Sequence, residues 1–106
     1  MRKPGALHKD DAAMFTDLYE LTMAQGYFEQ GMSDPATFSL FVRPSRTRRS
    51  YLVAAGLEDV LNYLESFFVS HDAIDFLHSS YMFKDDFLDY LKTISFTGTV
   101  RAIPEG

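Results

Sequence analysis

The chain has 106 residues, of which 46% are hydrophobic and 24% are charged, values typical of one folded domain. It contains no cysteine, which excludes disulfide bonds, thiolate metal sites and cysteine nucleophiles. Its apolar runs are far shorter than the roughly 18 residues of a membrane span, so we expect no transmembrane helix and no membrane partner. The basic N-terminus lacks the apolar segment of a secretory signal, and we expect a cytoplasmic protein.

The net charge of −5 is unevenly distributed. Residues 1–49 carry seven Lys or Arg and six Asp or Glu, whereas residues 50–106 carry three and nine. Four of the basic residues are grouped in one short stretch: Arg43, Arg46, Arg48 and Arg49. An acidic chain with a single arginine cluster is not expected to bind nucleic acid, but it suits one compact anion such as a phosphate.

The first part of the chain predicts a leader followed by a long helix. Residues 1–10 are polar and contain Pro4 and Gly5, so we predict a flexible leader. Residues 11–30 predict a helix that ends at Gly31. Its apolar residues form two stripes, one of Met14, Leu18, Leu21 and Phe28 and the other of Phe15, Tyr19, Met23 and Tyr27. Because the two stripes are wider than one packing face, we expect the second side to contact another domain or subunit.

The remaining segments predict strands and three further helices. Strands are predicted at residues 36–43, 51–55 and 99–103, because apolar and polar residues alternate in the first and turn residues bound the others. One helix is predicted at residues 57–68, and a short second helix is predicted to begin after a cap at Ser70. A third is predicted at residues 84–94, where Phe87, Leu88 and Leu91 face inward. We therefore predict an α/β (α+β) fold with a small sheet and helices packed on it.

Few residues carry an obvious chemical signature. The chain contains no P-loop and none of the motifs GxGxxG, HExxH or GxSxG. His71 and His78 lie seven residues apart with Asp75 as the only nearby third ligand, so a surface pair is favoured over a metal site.

Two other residues have both a functional and a purely structural interpretation. Arg43 at a strand end could form paired hydrogen bonds with phosphate oxygens, or it could belong to a solvated loop, which composition slightly favours. Tyr19 could stack on a flat ligand beside Asp17, although its spacing by itself favours core packing.

Four parts of the chain, in the correct order, resemble nicotinate phosphoribosyltransferase. The first is TDLYELTMAQGYF at residues 16–28, and the second is FVR at 41–43 followed by YLVAAGLE at 51–58. The third is FLDYL at 87–91, and the fourth is FTG at 96–98 with VRAIPEG at 100–106. The resemblance covers about residues 14–106, so it implies that residues 11–106 are the N-terminal domain of this type II phosphoribosyltransferase, without its barrel domain.

The resemblance implies an enzyme that joins nicotinate to phosphoribosyl pyrophosphate, giving nicotinate mononucleotide and pyrophosphate in NAD salvage. It also implies ATP hydrolysis through a phosphorylated histidine, with Mg²⁺, in a homodimer whose sites lie at the subunit interface. Asp17 and Tyr19 match the segment that reaches the partner's site, where the tyrosine holds the pyridine ring. Arg43 matches the arginine that contacts the phosphate side of the substrate.

No catalytic residue and no bound cofactor are assigned to this chain. His8, His71 and His78 lie outside any segment that matches the phosphorylated histidine. We therefore expect the chain by itself to be inactive. The alternative is a stand-alone ligand-binding or assembly module that retains the fold without catalysis. A third hypothesis, a general phosphate-binding domain, depends on the arginine cluster alone.

Overall fold

The computed structural model describes residues 10–44 and 50–105. A single 3-10 turn at Ala12–Met14 precedes the helices of this part of the chain. These are α1 (Leu18–Glu29), α2 (Leu57–Glu65), α3 (His71–Ser79) and α4 (Asp85–Leu91). Nearly all of the predicted leader, residues 1–9, lies outside the described residues.

The predicted sheet is wrong, because the described residues form helices and no strand. The segments 36–43, 51–55 and 99–103 are irregular and make no backbone–backbone hydrogen bonds with other described residues. Their apolar side chains are exposed in the described part of the chain, and Phe38, Leu40 and Ile103 are 91%, 99% and 92% exposed. Alternation describes the two faces of a strand, but a strand also needs a hydrogen-bonded neighbour and a surface that buries its apolar face.

Helix α1 starts later than predicted but ends where predicted. Asp17 has extended backbone angles (φ −81°, ψ 146°) and separates α1 from the preceding 3-10 turn. At the other end, Gly31 adopts a left-handed φ of 65°. The Met32 N–H donates to the Tyr27 carbonyl at 2.9 Å and the Gly31 N–H to the Phe28 carbonyl at 3.1 Å, which is a Schellman motif. The predicted helix end at Gly31 is therefore confirmed.

The predicted cap of α3 is also confirmed. The Ser70 hydroxyl accepts a hydrogen bond from the Ala73 N–H at 3.1 Å, which satisfies one of the free donors of the first helical turn. Helices α2 and α4 are shorter than the predicted ranges 57–68 and 84–94.

The core is small and is built mainly from α3, α4 and the turn between them. Its buried members are Ile74, Leu77, Phe83, Phe87, Leu88 and Leu91. Helix α1 packs onto this cluster through Phe28, whose ring lies 5.8 Å from that of Phe87 and stacks 4.9 Å from that of Tyr90. The inward direction predicted for Phe87, Leu88 and Leu91 is confirmed.

Helix α2 lies outside this core and buries none of its residues. It begins after Gly56, whose φ of 110° is a backbone conformation that side chains with a Cβ rarely adopt. Its first N–H group, that of Leu57, donates to a carboxylate oxygen of Glu105 at 2.7 Å. This bond connects α2 to the last described residue. It also places a negative charge at a helix N-terminus, which is favourable.

None of the helices within residues 10–44 and 50–105 combines the length and the apolar character needed to cross a membrane.

The core predicts a large effect for one substitution. Phe87 is 1% exposed and contacts both Phe28 and Phe83. We expect Phe87→Ala to lower the free energy of unfolding by about 3–5 kcal/mol, because it removes buried apolar surface and leaves a cavity. The matched control is Phe76→Ala on α3, at a side chain that is 65% exposed, with an expected effect of about 0.5 kcal/mol or less. Equal urea-unfolding midpoints for the two variants would contradict this core.

Candidate functional site

Two of the three predicted site residues lie at the start of α1. Asp17 precedes the first helical residue, and its carbonyl accepts the Glu20 N–H at 3.1 Å. Its side chain makes no capping hydrogen bond. The Asp17 carboxylate is therefore available for an external hydrogen-bond donor or positive charge.

Tyr19 lies in the first turn of α1 and is 59% exposed. Core packing, which the spacing favoured, is therefore wrong for this residue. The other members of its stripe are also exposed: Phe15, Met23 and Tyr27. The opposite side of α1 contributes Leu21, Ala24 and Phe28 to the core. One side of α1 is thus packed within this chain, and the other presents aromatic rings to its surroundings.

A shallow depression of about 370 Å³ adjoins these residues. It is lined by Met14, Phe15, Thr16, Asp17 and Glu20. The Thr16 hydroxyl donates to the Glu20 carboxylate, which orders one wall. Its volume is at the lower end of the range for small-molecule sites, but it is open on one side, whereas such sites usually enclose most of their ligand. A second surface is needed to enclose a ligand here.

Arg43, the third predicted site residue, lies apart in the irregular segment between α1 and α2. The strand end expected for it is wrong, since this segment is not a strand. None of the hydrogen bonds or ion pairs within the described ranges connects Arg43 to Asp17 or Tyr19. Its side chain is exposed, so the guanidinium is accessible to an anion. The other arginines of the cluster, Arg46, Arg48 and Arg49, lie outside the described residues.

The structure also shows a groove between α3 and α4 that the sequence analysis did not identify. It has a volume of about 410 Å³, and its polar lining includes Asp75, His78, Asp85, Asp89 and Lys92. His78 Nε2 lies 3.6 Å from Asp85 Oδ1, and both side chains are mostly exposed. No group of three or more metal-ligating side chains that could hold an ion occurs in the part of the chain that the structure describes. The sequence pattern that could have indicated this groove is the spacing of its polar residues, which lie on the outer faces of α3 and α4.

Comparison with known proteins gives one consistent result. The family model of the nicotinate phosphoribosyltransferase (NAPRTase) N-terminal domain matches residues 14–106. "Nicotinate phosphoribosyltransferase pncB2" of Mycobacterium tuberculosis is 45% identical over 101 residues, covering 95% of this chain and 22% of that protein. The nicotinate phosphoribosyltransferases of Bos taurus and Homo sapiens are 38% and 37% identical over 97 residues, covering 88% of this chain and 18% of theirs. No solved structure matches the chain significantly.

The family match includes Asp17, Tyr19 and Arg43, and nearly the whole chain aligns with these relatives. The chain spans about a fifth of the length of the relatives. The resemblance inferred from four sequence segments is thereby confirmed, and the chain belongs to the nicotinate phosphoribosyltransferase N-terminal domain family.

Proposed function

We propose that this chain forms part of an enzyme that joins nicotinate to phosphoribosyl pyrophosphate, giving nicotinate mononucleotide and pyrophosphate. The observation that carries the proposal is the family match over residues 14–106, supported by relatives that are named nicotinate phosphoribosyltransferase. The reaction is coupled to ATP hydrolysis, serves NAD salvage and takes place in the cytoplasm. We assign no residue of this chain to ATP or Mg²⁺.

Helix α1 supplies an aromatic surface for the pyridine ring. The Tyr19 ring is exposed at the helix start, and an electron-poor pyridine ring favours offset stacking on such a face. The depression lined by Asp17 is open, so a second surface has to enclose the substrate. We propose that a second copy supplies it, in a homodimer in which the exposed side of α1 with Tyr19, Met23 and Tyr27, and Phe15 just before the helix, faces the partner.

The charges around Tyr19 constrain how a substrate can lie there. Asp17 and Glu20 line the depression, and two carboxylates near the carboxylate of nicotinate would repel it. Asp17 is instead suited to the ribose hydroxyls or to the positive charge that develops on the ring nitrogen as the new bond forms. We therefore propose that the carboxylate of nicotinate points away from Asp17.

Arg43 is proposed to bind the phosphate side of the second substrate. Its guanidinium is exposed, always charged and able to form paired hydrogen bonds with phosphate oxygens.

We expect Tyr19→Ala, in the full-length protein that contains this chain, to raise the KM for nicotinate. Loss of stacking should raise this KM about threefold to tenfold. Tyr19→Phe keeps the ring and should change the KM little. Tyr81→Ala is the control, because Tyr81 is exposed beyond the end of α3. Steady-state kinetics with nicotinate varied would measure this, and an unaltered KM in Tyr19→Ala would remove Tyr19 from the site.

For Arg43→Ala we expect the KM for phosphoribosyl pyrophosphate to rise about 10- to 100-fold, more than the KM for nicotinate. The reason is the loss of charged hydrogen bonds to the diphosphate. Arg43→Lys should have an intermediate effect, because it keeps the charge but not the paired geometry. Lys92→Ala on α4 is the control for removal of one positive charge. An equal rise for both substrates would argue against a phosphate-binding role.

The isolated chain is expected to form no nicotinate mononucleotide and to associate with itself. Catalysis at a diphosphate requires many positioned charges, and contiguous exposed apolar surface favours association. Product chromatography and light scattering would measure the two properties, and Met23→Glu on the exposed stripe should reduce the associated fraction. Turnover by the isolated chain would contradict the fragment hypothesis, and a monomer at high concentration would contradict the proposed interface.

A further inference from the structure

We propose that Gln25 is a positioning residue that sets the direction of α1 and thereby the place of the Tyr19 ring. It does so through its side-chain amide, which bonds to the backbone on both sides of Phe83. The inference rests on the proposed function, since it matters for catalysis only if Tyr19 binds nicotinate.

The contacts of Gln25 resemble those of a peptide group in a sheet. Its Oε1 accepts a hydrogen bond from the Lys84 N–H at 2.8 Å, and its Nε2 donates to the Met82 carbonyl at 3.3 Å. One amide thus bonds to residues two apart in the backbone, the spacing that a neighbouring strand would use. Lys84 precedes the first residue of α4, so Gln25 connects α1 directly to the start of α4.

Phe83, the residue between the two bonded positions, holds this stretch of backbone in place. Phe83 is 7% exposed and its ring stacks 5.8 Å from that of Phe87, so the backbone that Gln25 binds is held by the core. Hydrogen bonds have a preferred direction, whereas apolar contacts do not. The Gln25 amide therefore restricts the rotation of α1 about its own axis, in addition to the apolar packing of Leu21, Ala24 and Phe28.

A second polar contact between α1 and the start of α4 is an exposed ion pair. Glu29 Oε1 lies 3.0 Å from Lys84 Nζ, and both side chains are substantially exposed. This pair raises the pKa of Lys84, first through the hydrogen bond that Lys84 Nζ donates to the Glu29 carboxylate and then through the negative charge of Glu29. Exposed ion pairs of this kind contribute little to stability. Gln25 is a partly buried residue whose two hydrogen bonds are themselves exposed, but they are directional contacts to backbone groups.

A small rotation of α1 at Gln25 would also move Tyr19, because both residues lie on the same helix. Tyr19 lies six residues before Gln25, a distance of about 9 Å along the helix. No residue of α1 is fully buried, and the stripe that contains Tyr19 is exposed within this chain. A change in rotation would therefore move the Tyr19 ring with little resistance from the rest of the domain.

Helix α1 is followed by a natural control. Gln30 comes directly after the last helical residue, is exposed, and makes no side-chain hydrogen bond within the described ranges. Gln25→Met and Gln30→Met are therefore the same chemical change, within α1 and directly after it, with and without the contact to Met82 and Lys84.

The direction of α1 can be measured without any enzyme assay. The chain has no cysteine, so Leu18→Cys on α1 and Asp75→Cys on α3, both exposed, provide two positions for spin labels. Double electron–electron resonance on labelled chain diluted with unlabelled chain would report the distribution of distances between α1 and α3. We expect Gln25→Met to broaden or shift this distribution, and Gln30→Met to leave it unchanged.

Gln25→Glu provides a second variant in case Gln25→Met does not fold, as judged by circular dichroism. At neutral pH this variant keeps the acceptor for the Lys84 N–H. It loses the donor to the Met82 carbonyl, because a carboxylate oxygen replaces the amide nitrogen there. It should therefore also broaden the distribution. Unchanged distributions in the folded variants would overturn the inference.

Kinetics of the full-length protein separate a positioning role from a general loss of stability. We expect Gln25→Met to raise the KM for nicotinate about threefold to tenfold, with kcat and the KM for phosphoribosyl pyrophosphate unchanged. In a Tyr19→Ala background, Gln25→Met should add no further increase, because the two residues act through one contact.

The outcomes are distinguishable. If Tyr19→Ala raises the KM for nicotinate but Gln25→Met does not, the inference is overturned and the proposed function stands. If Tyr19→Ala has no effect, the proposed role of Tyr19 fails, whatever the spin-label distances show. An additive effect of the two substitutions would also overturn the inference, because it would assign Gln25 a role independent of Tyr19.

Discussion

The contact between the Phe28 ring and the rings of Phe87 and Tyr90 is the interaction on which the described fold depends. It joins the C-terminal half of α1 to α4, and Phe87 is the most deeply buried large side chain of the described residues. The fully buried core residues come from α3, α4 and the turn between them, and α1 packs against them through Leu21, Ala24 and Phe28. The properties of the candidate site that depend on α1 therefore depend on this packing, to which Phe28 contributes the ring contacts.

Packing one side of α1 in this way determines which side remains available. Tyr19, Met23 and Tyr27 stay exposed on α1, as does Phe15 before it, and Asp17 lies at the start of the helix. Exposed aromatic surface on a packed helix is costly in water and typical of a surface that contacts a ligand or another protein. The same helix thus serves two roles, with core packing on the side of Leu21, Ala24 and Phe28 and a candidate binding surface on the opposite side.

Some elements could be predicted because their cause is local. The Ser70 cap and the left-handed Gly31 depend on residues within one helical turn, and both were recognised from the order of residue types. The sheet could not be predicted in the same way. Whether Phe38 and Leu40 belong to a strand depends on a hydrogen-bonded neighbour and an apolar cover, which lie elsewhere in the chain or outside it.

The sequence by itself determined the family of this chain and named Asp17, Tyr19 and Arg43 as candidate site residues. It could not determine that Tyr19 is exposed, because the spacing of an apolar residue on a helix is the same for a core face and a binding face. Nor could it separate Gln25 from Gln30, which are the same residue type in one segment. Only the tertiary structure decided these points, because exposure and hydrogen-bond partners depend on contacts between residues more than 50 positions apart, such as those of Gln25 with Met82 and Lys84.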